Sequence, residues 1–391
     1  LYWIPAPRSR YYRIMELVAK VLSRLFRKNI SFGNTTLGAK TLASGIKSDL
    51  FDKCDILVAF FTGSKLGYVD LKGKPLIYLS DATFSAMINY YPPFCRLWKW
   101  NIHQGIVLEK KAMDKSNAIV LSSKWSADSA VCDLKQSPEK IHIIEFGANI
   151  SDKDIKSRKF KFDGMLNLLF LGVEWERKGG DIAVETTKWL NENGIPTQLH
   201  IVGIKSLDDK IKNLPFVQDI GFLNKNNKTE YNRLIDEIYH CHALILPTHA
   251  ECSAIAFAEA SAYGLPTFTF QTGGIPNYIE NGRNGYMLAM NSTSEDYGRL
   301  IAQCLKDGRL ERTGFPYQCP AAVPPDCCHP ASGCRASADK MGSSPPRWHT
   351  GMPAGRTGGF ASHLRTEGKR CRPPWPGCLS PSGADVDMRD H

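Results

Sequence analysis

The sequence of 391 residues has no apolar run of the roughly 18 to 20 residues that a membrane-spanning helix needs. It begins with Leu1 rather than Met, and its start lacks the segments typical of a signal peptide. The cysteines of the first 311 residues show no pairing pattern, as is usual in a reducing compartment. We therefore expect a cytoplasmic protein that has lost its true N-terminus.

The last 80 residues, 312–391, contain no isoleucine, although they hold six of the 12 cysteines and 12 of the 23 prolines. So few branched aliphatic side chains cannot offset the entropy of an ordered chain. The region has no C-x-x-C pair, and its adjacent Cys327 and Cys328 suit neither zinc nor an ordinary disulfide framework. We expect a disordered or out-of-frame tail without a function.

Short apolar runs alternate with longer amphipathic segments from about residue 51 to residue 288. Such alternation predicts an α/β fold of parallel sheets built from βαβ units. The predicted strands are Ile56–Phe61, Leu76–Leu79, Ala118–Ser122, His142–Glu145, Asn167–Leu171, Gln198–Val202, Val217–Ile220, Ala243–Leu246 and Thr267–Phe270.

A polar, lysine-rich stretch in 146–163 interrupts this pattern and reads as a linker. We therefore predict two Rossmann-type parallel-sheet domains that face a cleft, at residues 1–150 and 151–311. Ligands of such domains bind at the carboxyl ends of the strands.

Three motifs follow strands of the second domain. The first runs from Gly172 through Arg177 and Lys178 to Gly179, and a helix begins directly after it. Backbone N–H groups at a helix start attract phosphate, and the two cations add to that attraction. The alternative is a glycine turn with a solvated pair of cations.

In the second motif, Glu251 follows a strand and Glu259 lies eight positions later, inside the next helix. Two carboxylates about two turns apart can reach one elongated polar ligand, and the amides of Ser253, Ala254 and Ile255 can hold a phosphate. Apolar neighbours indicate that Glu259 is partly buried, which is costly for an unpaired carboxylate. The alternative is a surface carboxylate.

The third motif places Gly273 and Gly274 after the strand Thr267–Phe270, with a second turn at 281–285. Either glycine pair alone is typical of a simple turn.

Together, the motifs resemble the retaining, nucleotide-sugar-dependent glycosyltransferases of family 4, which have the GT-B architecture. The resemblance is strongest over residues 165–290 and covers residues 51–150 more loosely. It implies that Lys178 and Arg177 bind the donor diphosphate, that Glu251 contacts the donor sugar, and that Glu259 holds the ribose hydroxyls. Gly172, Gly179, Ser253, Ala254, Ile255, Gly273 and Gly274 would form the rest of the donor site.

The resemblance further implies transfer to a glycan, lipid-linked or polysaccharide acceptor, with retention at the anomeric carbon. No D-x-D motif follows a predicted strand, so we expect neither a metal nor another cofactor. Asp81, just past the strand Leu76–Leu79, is the acceptor-side candidate. Two alternatives are an inactive GT-B fragment that only binds nucleotide and a sugar-nucleotide epimerase, although the E-x7-E pattern argues against the epimerase.

The segment from Arg8 to Lys28 carries seven cations and a single carboxylate, with aliphatic residues at helical spacing. This pattern fits either an outer helix of the first domain or peripheral contact with the inner face of a membrane. No module of interleaved aromatic and basic residues is evident, so we expect no nucleic-acid partner.

Overall fold

The computed structural model describes residue 4 and residues 8–60, 63–155 and 160–312. The predicted tail lies outside these residues, apart from its first position. Among the described residues, no helix is long and apolar enough to cross a membrane.

Within the residues that the structure describes, ten strands form two sheets, and each strand pairs with its neighbours in parallel. The strands are β1 (Leu57–Phe60), β2 (Leu76–Ser80), β3 (Ala118–Leu121), β4 (Ile141–Ile143), β5 (Leu166–Leu171), β6 (Thr197–Val202), β7 (Val217–Gly221), β8 (Ala243–Ile245), β9 (Thr267–Phe270) and β10 (Gly285–Leu288).

Thirteen α-helices surround the sheets in the described part of the chain. They are α1 (Arg10–Phe26), α2 (Thr36–Ala43), α3 (Gly63–Leu66), α4 (Phe84–Met87), α5 (Lys99–Asp114), α6 (Lys124–Cys132), α7 (Trp175–Lys178), α8 (Gly180–Glu192), α9 (Asp209–Lys212), α10 (Lys228–His240), α11 (Ile255–Ala262), α12 (Ser294–Lys306) and α13 (Arg309–Arg312). Six short 3₁₀ helices are Phe32–Asn34, Ser48–Lys53, Pro92–Phe94, Pro138–Lys140, Asp152–Asp154 and Ile275–Asn277.

All nine predicted strands are present, with ends that differ by at most two residues. They were recognisable because apolar side chains fill both faces of a covered parallel sheet. In β5, for example, five of the six residues are buried. The prediction missed β10, an edge strand that begins with a glycine and is only partly buried.

The strand order of the larger sheet places the candidate site. The order is β10-β9-β8-β5-β6-β7, so the chain leaves β5 toward β6 on one side and returns to β8 on the other. Loops that leave a parallel sheet in opposite directions open a crevice at the carboxyl ends of the strands. The loops after β5 and β8, which carry the first two motifs, therefore start from neighbouring strands.

The predicted linker packs on the second sheet unit. Ile150, Ile155 and Phe160 are half-buried against its apolar core. The predicted boundary at residue 150 lies between β4 and β5, and its exact position stays a prediction. Five cysteines of the described body are free thiols, namely Cys54, Cys132, Cys241, Cys252 and Cys304.

The smaller sheet has the order β1-β2-β3-β4 and carries a buried carboxylate beneath the loop after β2. Glu109 of α5 accepts hydrogen bonds from the Tyr78 hydroxyl at 2.9 Å and the Phe84 N–H at 2.7 Å. Burial raises the pKa of Glu109 to about 7, although these two donors oppose the rise. Glu109 thereby connects α5 and β2 to the start of α4.

Glu109 makes stability depend on pH. Its pKa is about 7 in the folded state and 4.5 in the reference state, so the folded protein holds the proton more tightly. Between pH 4.5 and 7, Glu109 is ionised in the unfolded chain but still protonated in the folded protein. The free energy of unfolding therefore falls as pH rises through this range. We expect a loss of about 3 kcal/mol between pH 4.5 and 7, and none above.

Urea unfolding at a series of pH values measures this effect. In Glu109→Gln the fall should be smaller by about this amount, whereas the exposed control Glu295→Gln should keep the wild-type fall. An identical pH profile in wild type and Glu109→Gln would show that Glu109 titrates normally.

Candidate functional site

The first motif forms a tight turn against the end of β8. The short helix α7 ends at Lys178, and Gly179 (φ 73°) adopts the left-handed conformation before α8 begins. A Cβ at Gly179 would lie 2.2 Å from the Pro247 carbonyl oxygen. Only glycine allows the loop after β5 to approach the loop after β8 this closely.

This approach brings Lys178 to Glu251. The Lys178 Nζ forms a buried ion pair with the Glu251 carboxylate, and the Arg177 guanidinium lies 3.7 Å from the same oxygen. Removing charges from water is costly unless they are paired, so the two motifs stabilise each other. Both cations of the first motif therefore meet the first carboxylate of the second.

Arg177 is fixed by further contacts. Its Nη1 donates to the Ala250 carbonyl at 2.7 Å, and its Nε pairs with Glu174. The guanidinium also lies 5.2 Å from the centre of the Tyr91 ring, within range of a cation–π interaction. Arg177 is thus held at the site by both sheet units.

The third motif closes onto the backbone of the second. The Gly274 N–H donates to the Glu251 carbonyl at 3.0 Å. A Cβ on Gly273 would lie 2.2 Å from that carbonyl oxygen, and one on Gly274 would lie 1.9 Å from the Cys252 carbonyl oxygen. The glycine pair is therefore more than a simple turn, because it permits two loops to pack backbone against backbone.

Tyr90 reaches the same backbone from the smaller sheet unit. Its hydroxyl accepts from the Glu251 N–H at 2.9 Å and lies 3.0 Å from the Thr272 hydroxyl. Burial raises the pKa of Tyr90, so the hydroxyl stays protonated and can also donate. The Tyr90 hydroxyl therefore lies on the loop of Glu251.

Other contacts join the two units around this point. The Ser122 and Ser253 hydroxyls are 3.0 Å apart, and Asn277 accepts from the Lys124 N–H at 2.9 Å. The Phe146 N–H donates to the Tyr278 hydroxyl at 2.9 Å. The expectation of two parallel-sheet units that face each other is confirmed.

The start of α11 differs from the expectation in one respect. No side chain caps this helix, and Ala254, which precedes it, is buried. The Ile255 N–H donates to the Ser253 carbonyl at 2.8 Å, so this amide is engaged within the turn rather than free for a phosphate. The positive end of the helix dipole still points toward the loop of Glu251.

Glu259 is buried and paired. Only 2% of the residue is exposed, and its carboxylate forms an ion pair with Lys225 from the loop after β7. Burial raises the pKa of Glu259, while Lys225 and the backbone of Asn149 act in the opposite direction. The sequence predicted a need for a partner, but no spacing pattern could identify Lys225.

Asp81 lies on the smaller unit and faces the same region. The Ser122 and Ser126 hydroxyls donate to its backbone carbonyl at 3.0 and 2.6 Å. Burial raises the pKa of Asp81, and the nearby charge of Glu251 adds to that rise. Asp81 and Glu251 therefore approach the interface between the units from opposite sides.

The structure thus gathers most of the predicted residues at one place. Gly172 belongs to this group, because a Cβ at Gly172 would touch the Lys178 side chain at 3.0 Å. Glu259 stands apart in its own pair with Lys225. Sequence reasoning missed the contacts of Tyr90, Tyr91, Thr272 and Lys225, which come from distant segments.

The described residues contain no group of three or more His, Cys, Asp or Glu side chains that could hold a metal ion. The expectation that no metal is needed stays a prediction.

Comparison with known proteins identifies the type of fold. The family model of glycosyl transferases group 1 matches residues 152–314. An uncharacterized glycosyltransferase of Methanocaldococcus jannaschii is 23% identical over 54% of this chain and 56% of that protein. The D-inositol 3-phosphate glycosyltransferase of Corynebacterium aurimucosum is 22% identical over 51% of each chain. The chain spans about half the length of these curated relatives.

Two solved structures have a similar fold. Sucrose-phosphate synthase of Thermosynechococcus elongatus gives a TM-score of 0.53 at 13% identity, covering 78% of this chain and 72% of that one. HepE of Anabaena, solved with UDP and glucose, gives 0.50 at 14% identity, covering 75% and 81%. The described residues have the GT-B fold of glycosyltransferases.

The close approach at Gly179 can be tested with a matched pair of glycines. Gly194 has a similar φ of 78°, but a Cβ there would meet nothing within 4 Å. Gly194→Ala should cost only the left-handed penalty of about 1–2 kcal/mol. Gly179→Ala adds a clash with a backbone carbonyl, and we expect more than about 3 kcal/mol in urea unfolding. Equal losses would contradict this packing.

Proposed function

We propose that this chain is a retaining glycosyltransferase of family 4. It would transfer a sugar from a nucleoside-diphosphate sugar to a glycan, lipid-linked or polysaccharide acceptor. The observation that carries the proposal is the convergence of Arg177, Lys178 and Glu251 between the carboxyl ends of β5 and β8. Two cations and a carboxylate at this crevice suit a ligand with an anionic diphosphate and a hydroxyl-rich sugar.

The ion pairs suggest how a donor enters the site. The Lys178 ammonium and the Arg177 guanidinium both pair with the same Glu251 oxygen. A diphosphate carries more negative charge than a carboxylate, so we infer that it draws both cations toward itself. Glu251 then becomes free to accept hydrogen bonds from the sugar hydroxyls. Binding of the donor would transfer both cations from the carboxylate to the diphosphate, and the sugar hydroxyls would then hydrogen-bond to the buried Glu251 carboxylate in their place.

Glu259 would bind the other end of the donor. Its buried carboxylate, held by Lys225, can accept hydrogen bonds from the two ribose hydroxyls. Gly273 and Gly274 would border the nucleotide, beside the Glu251 and Cys252 carbonyls on which they pack. Gly172, Gly179 and the residues Ser253 and Ala254 would give the phosphates close access to the backbone and to the start of α11.

Catalysis would consist mainly of stabilising the leaving diphosphate. Fixed cations in a site with little water lower the energy of the charge that develops there, and they need no metal ion. We propose that the acceptor attacks the face from which the diphosphate leaves, and that a phosphate oxygen takes the acceptor's proton. This route gives retention of the anomeric configuration.

The acceptor would lie on the side of the smaller unit. Asp81 is the residue that we propose to contact an acceptor hydroxyl, because it reaches the interface opposite Glu251. The reaction would take place in the cytoplasm, at the inner face of the membrane if the acceptor is lipid-linked.

A turnover assay tests this function. Purified chain is incubated with a panel of UDP-, GDP- and ADP-sugars, and with lipid-linked or polysaccharide acceptors. We expect release of one nucleoside diphosphate, a product of retained configuration by proton NMR, and no loss of rate with EDTA. Nucleotide binding without release from any donor would indicate an inactive GT-B fragment. Loss of activity with EDTA and recovery with Mg²⁺ or Mn²⁺ would refute metal independence.

Glu259 provides a separate test by calorimetry with UDP. Glu259→Gln keeps the shape but removes the charge that accepts the ribose hydroxyls, so the Kd should rise by about 10- to 100-fold. Glu295→Gln is the matched control, because it removes the carboxylate of an exposed ion pair with Arg299. An unchanged Kd in Glu259→Gln would show that the ribose binds elsewhere.

A further inference from the structure

Helix α1 presents a strip of aliphatic side chains to solvent. Its other side packs on the smaller unit through Tyr12 and Ala19, which are buried. The exposed aliphatic residues are Ile14, Leu17, Val18, Val21, Leu22 and Leu25, with exposed fractions from 36 to 71%. At 17 residues the helix is about 25 Å long, so the strip is much larger than an isolated surface leucine.

A row of cations runs beside this aliphatic strip. Arg13, Lys20 and Arg24 have helical spacing and share one flank of α1, and all three are exposed. The segment from Arg8 to Lys28 contains a single carboxylate, Glu16, whose Oε2 lies 3.5 Å from the Arg8 Nη1. The charge of this surface therefore complements an anionic partner rather than a basic one.

The strip continues into an apolar groove. Its volume is about 470 Å³, and it lies between α1, α2 and the start of α5. Its apolar lining includes Met15, Val18, Leu22, Ile30, Phe32 and Trp100. Trp100 is half-exposed at the rim, and indole rings favour the boundary between water and lipid.

We propose that α1 is a docking surface for an anionic lipid bilayer. The helix would lie in the plane of the membrane, with its aliphatic strip at the level of the acyl chains. Arg13, Lys20 and Arg24 would extend to the lipid phosphates. An amphipathic helix with cations along its polar flank has the pattern of interfacial membrane binding.

The docking surface is connected to the candidate site. Just after α1, the Asn29 side chain donates to the Cys95 carbonyl at 2.7 Å and to the Pro92 carbonyl at 3.3 Å. Pro92 directly follows Tyr90 and Tyr91, which contact Glu251 and Arg177. A bilayer on α1 would therefore border the segment that enters the interface between the units. Lipid binding itself does not depend on the proposed transferase activity.

Sedimentation of the full chain with lipid vesicles tests the proposal. The probes are vesicles of phosphatidylcholine alone and vesicles that also contain phosphatidylglycerol. We expect binding to the anionic vesicles, with at least about tenfold weaker partition in Leu17→Gln/Leu25→Gln because two of the most exposed apolar side chains are lost. Arg13→Gln/Arg24→Gln should lose the preference for anionic lipid.

The control Phe222→Gln/Met165→Gln removes two exposed apolar side chains from the larger unit and should bind like wild type. All variants carry the same residues after 312, so a difference between them reports on α1. The proposal fails if the wild-type chain does not bind anionic vesicles, or if the α1 variants bind them equally well.

Light scattering tests the alternative occupant, a second copy of the chain. A dimer in wild type and a monomer in Leu17→Gln/Leu25→Gln, without vesicle binding, would make the strip an interface between copies. UDP calorimetry on the same samples separates these results from any failure of the proposed function.

Discussion

The buried ion pair between Lys178 and Glu251 is the interaction on which the site depends. It joins two loops that leave neighbouring parallel strands in opposite directions, and it pairs a lysine with a glutamate where little water reaches them. Neither side chain would be stable there alone, because an unpaired buried charge carries a large desolvation penalty. Under the proposed function, an anionic ligand would replace the carboxylate and release it for another contact.

Close backbone packing sets the geometry around this pair. Gly179 lets the first loop reach Pro247, and Gly273 and Gly274 let the third loop lie on the carbonyls of Glu251 and Cys252. Each contact excludes a Cβ, so the two glycine turns and the loop of Glu251 act as one packed unit. Tyr90 then adds a hydrogen bond from the smaller unit to the Glu251 backbone. A movement that separates the two units at this point would therefore break this hydrogen bond.

The strands and the main carboxylates could be predicted because their signals are local. A covered parallel strand is a short apolar run, and a carboxylate amid apolar residues implies burial with a partner. The edge strand β10 could not be predicted, because it is short, partly exposed and preceded by turn residues. Lys225 and Tyr90 were beyond prediction for another reason. They lie 34 positions from Glu259 and 161 positions from Glu251, and no periodicity links such segments.

The sequence by itself determined the α/β class, the order of strands and helices, and the residue types that can bind a diphosphate and a sugar. These properties depend on hydrophobic periodicity, glycine and charge at neighbouring positions. Only the tertiary structure decided which charges meet, that the Ile255 amide is engaged, and that Tyr90 binds the loop of Glu251. It also decided that the aliphatic strip of α1 faces outward rather than into a core. The physical reason is that burial and pairing depend on the strand order of the sheets, which brings distant loops together and which no local pattern encodes.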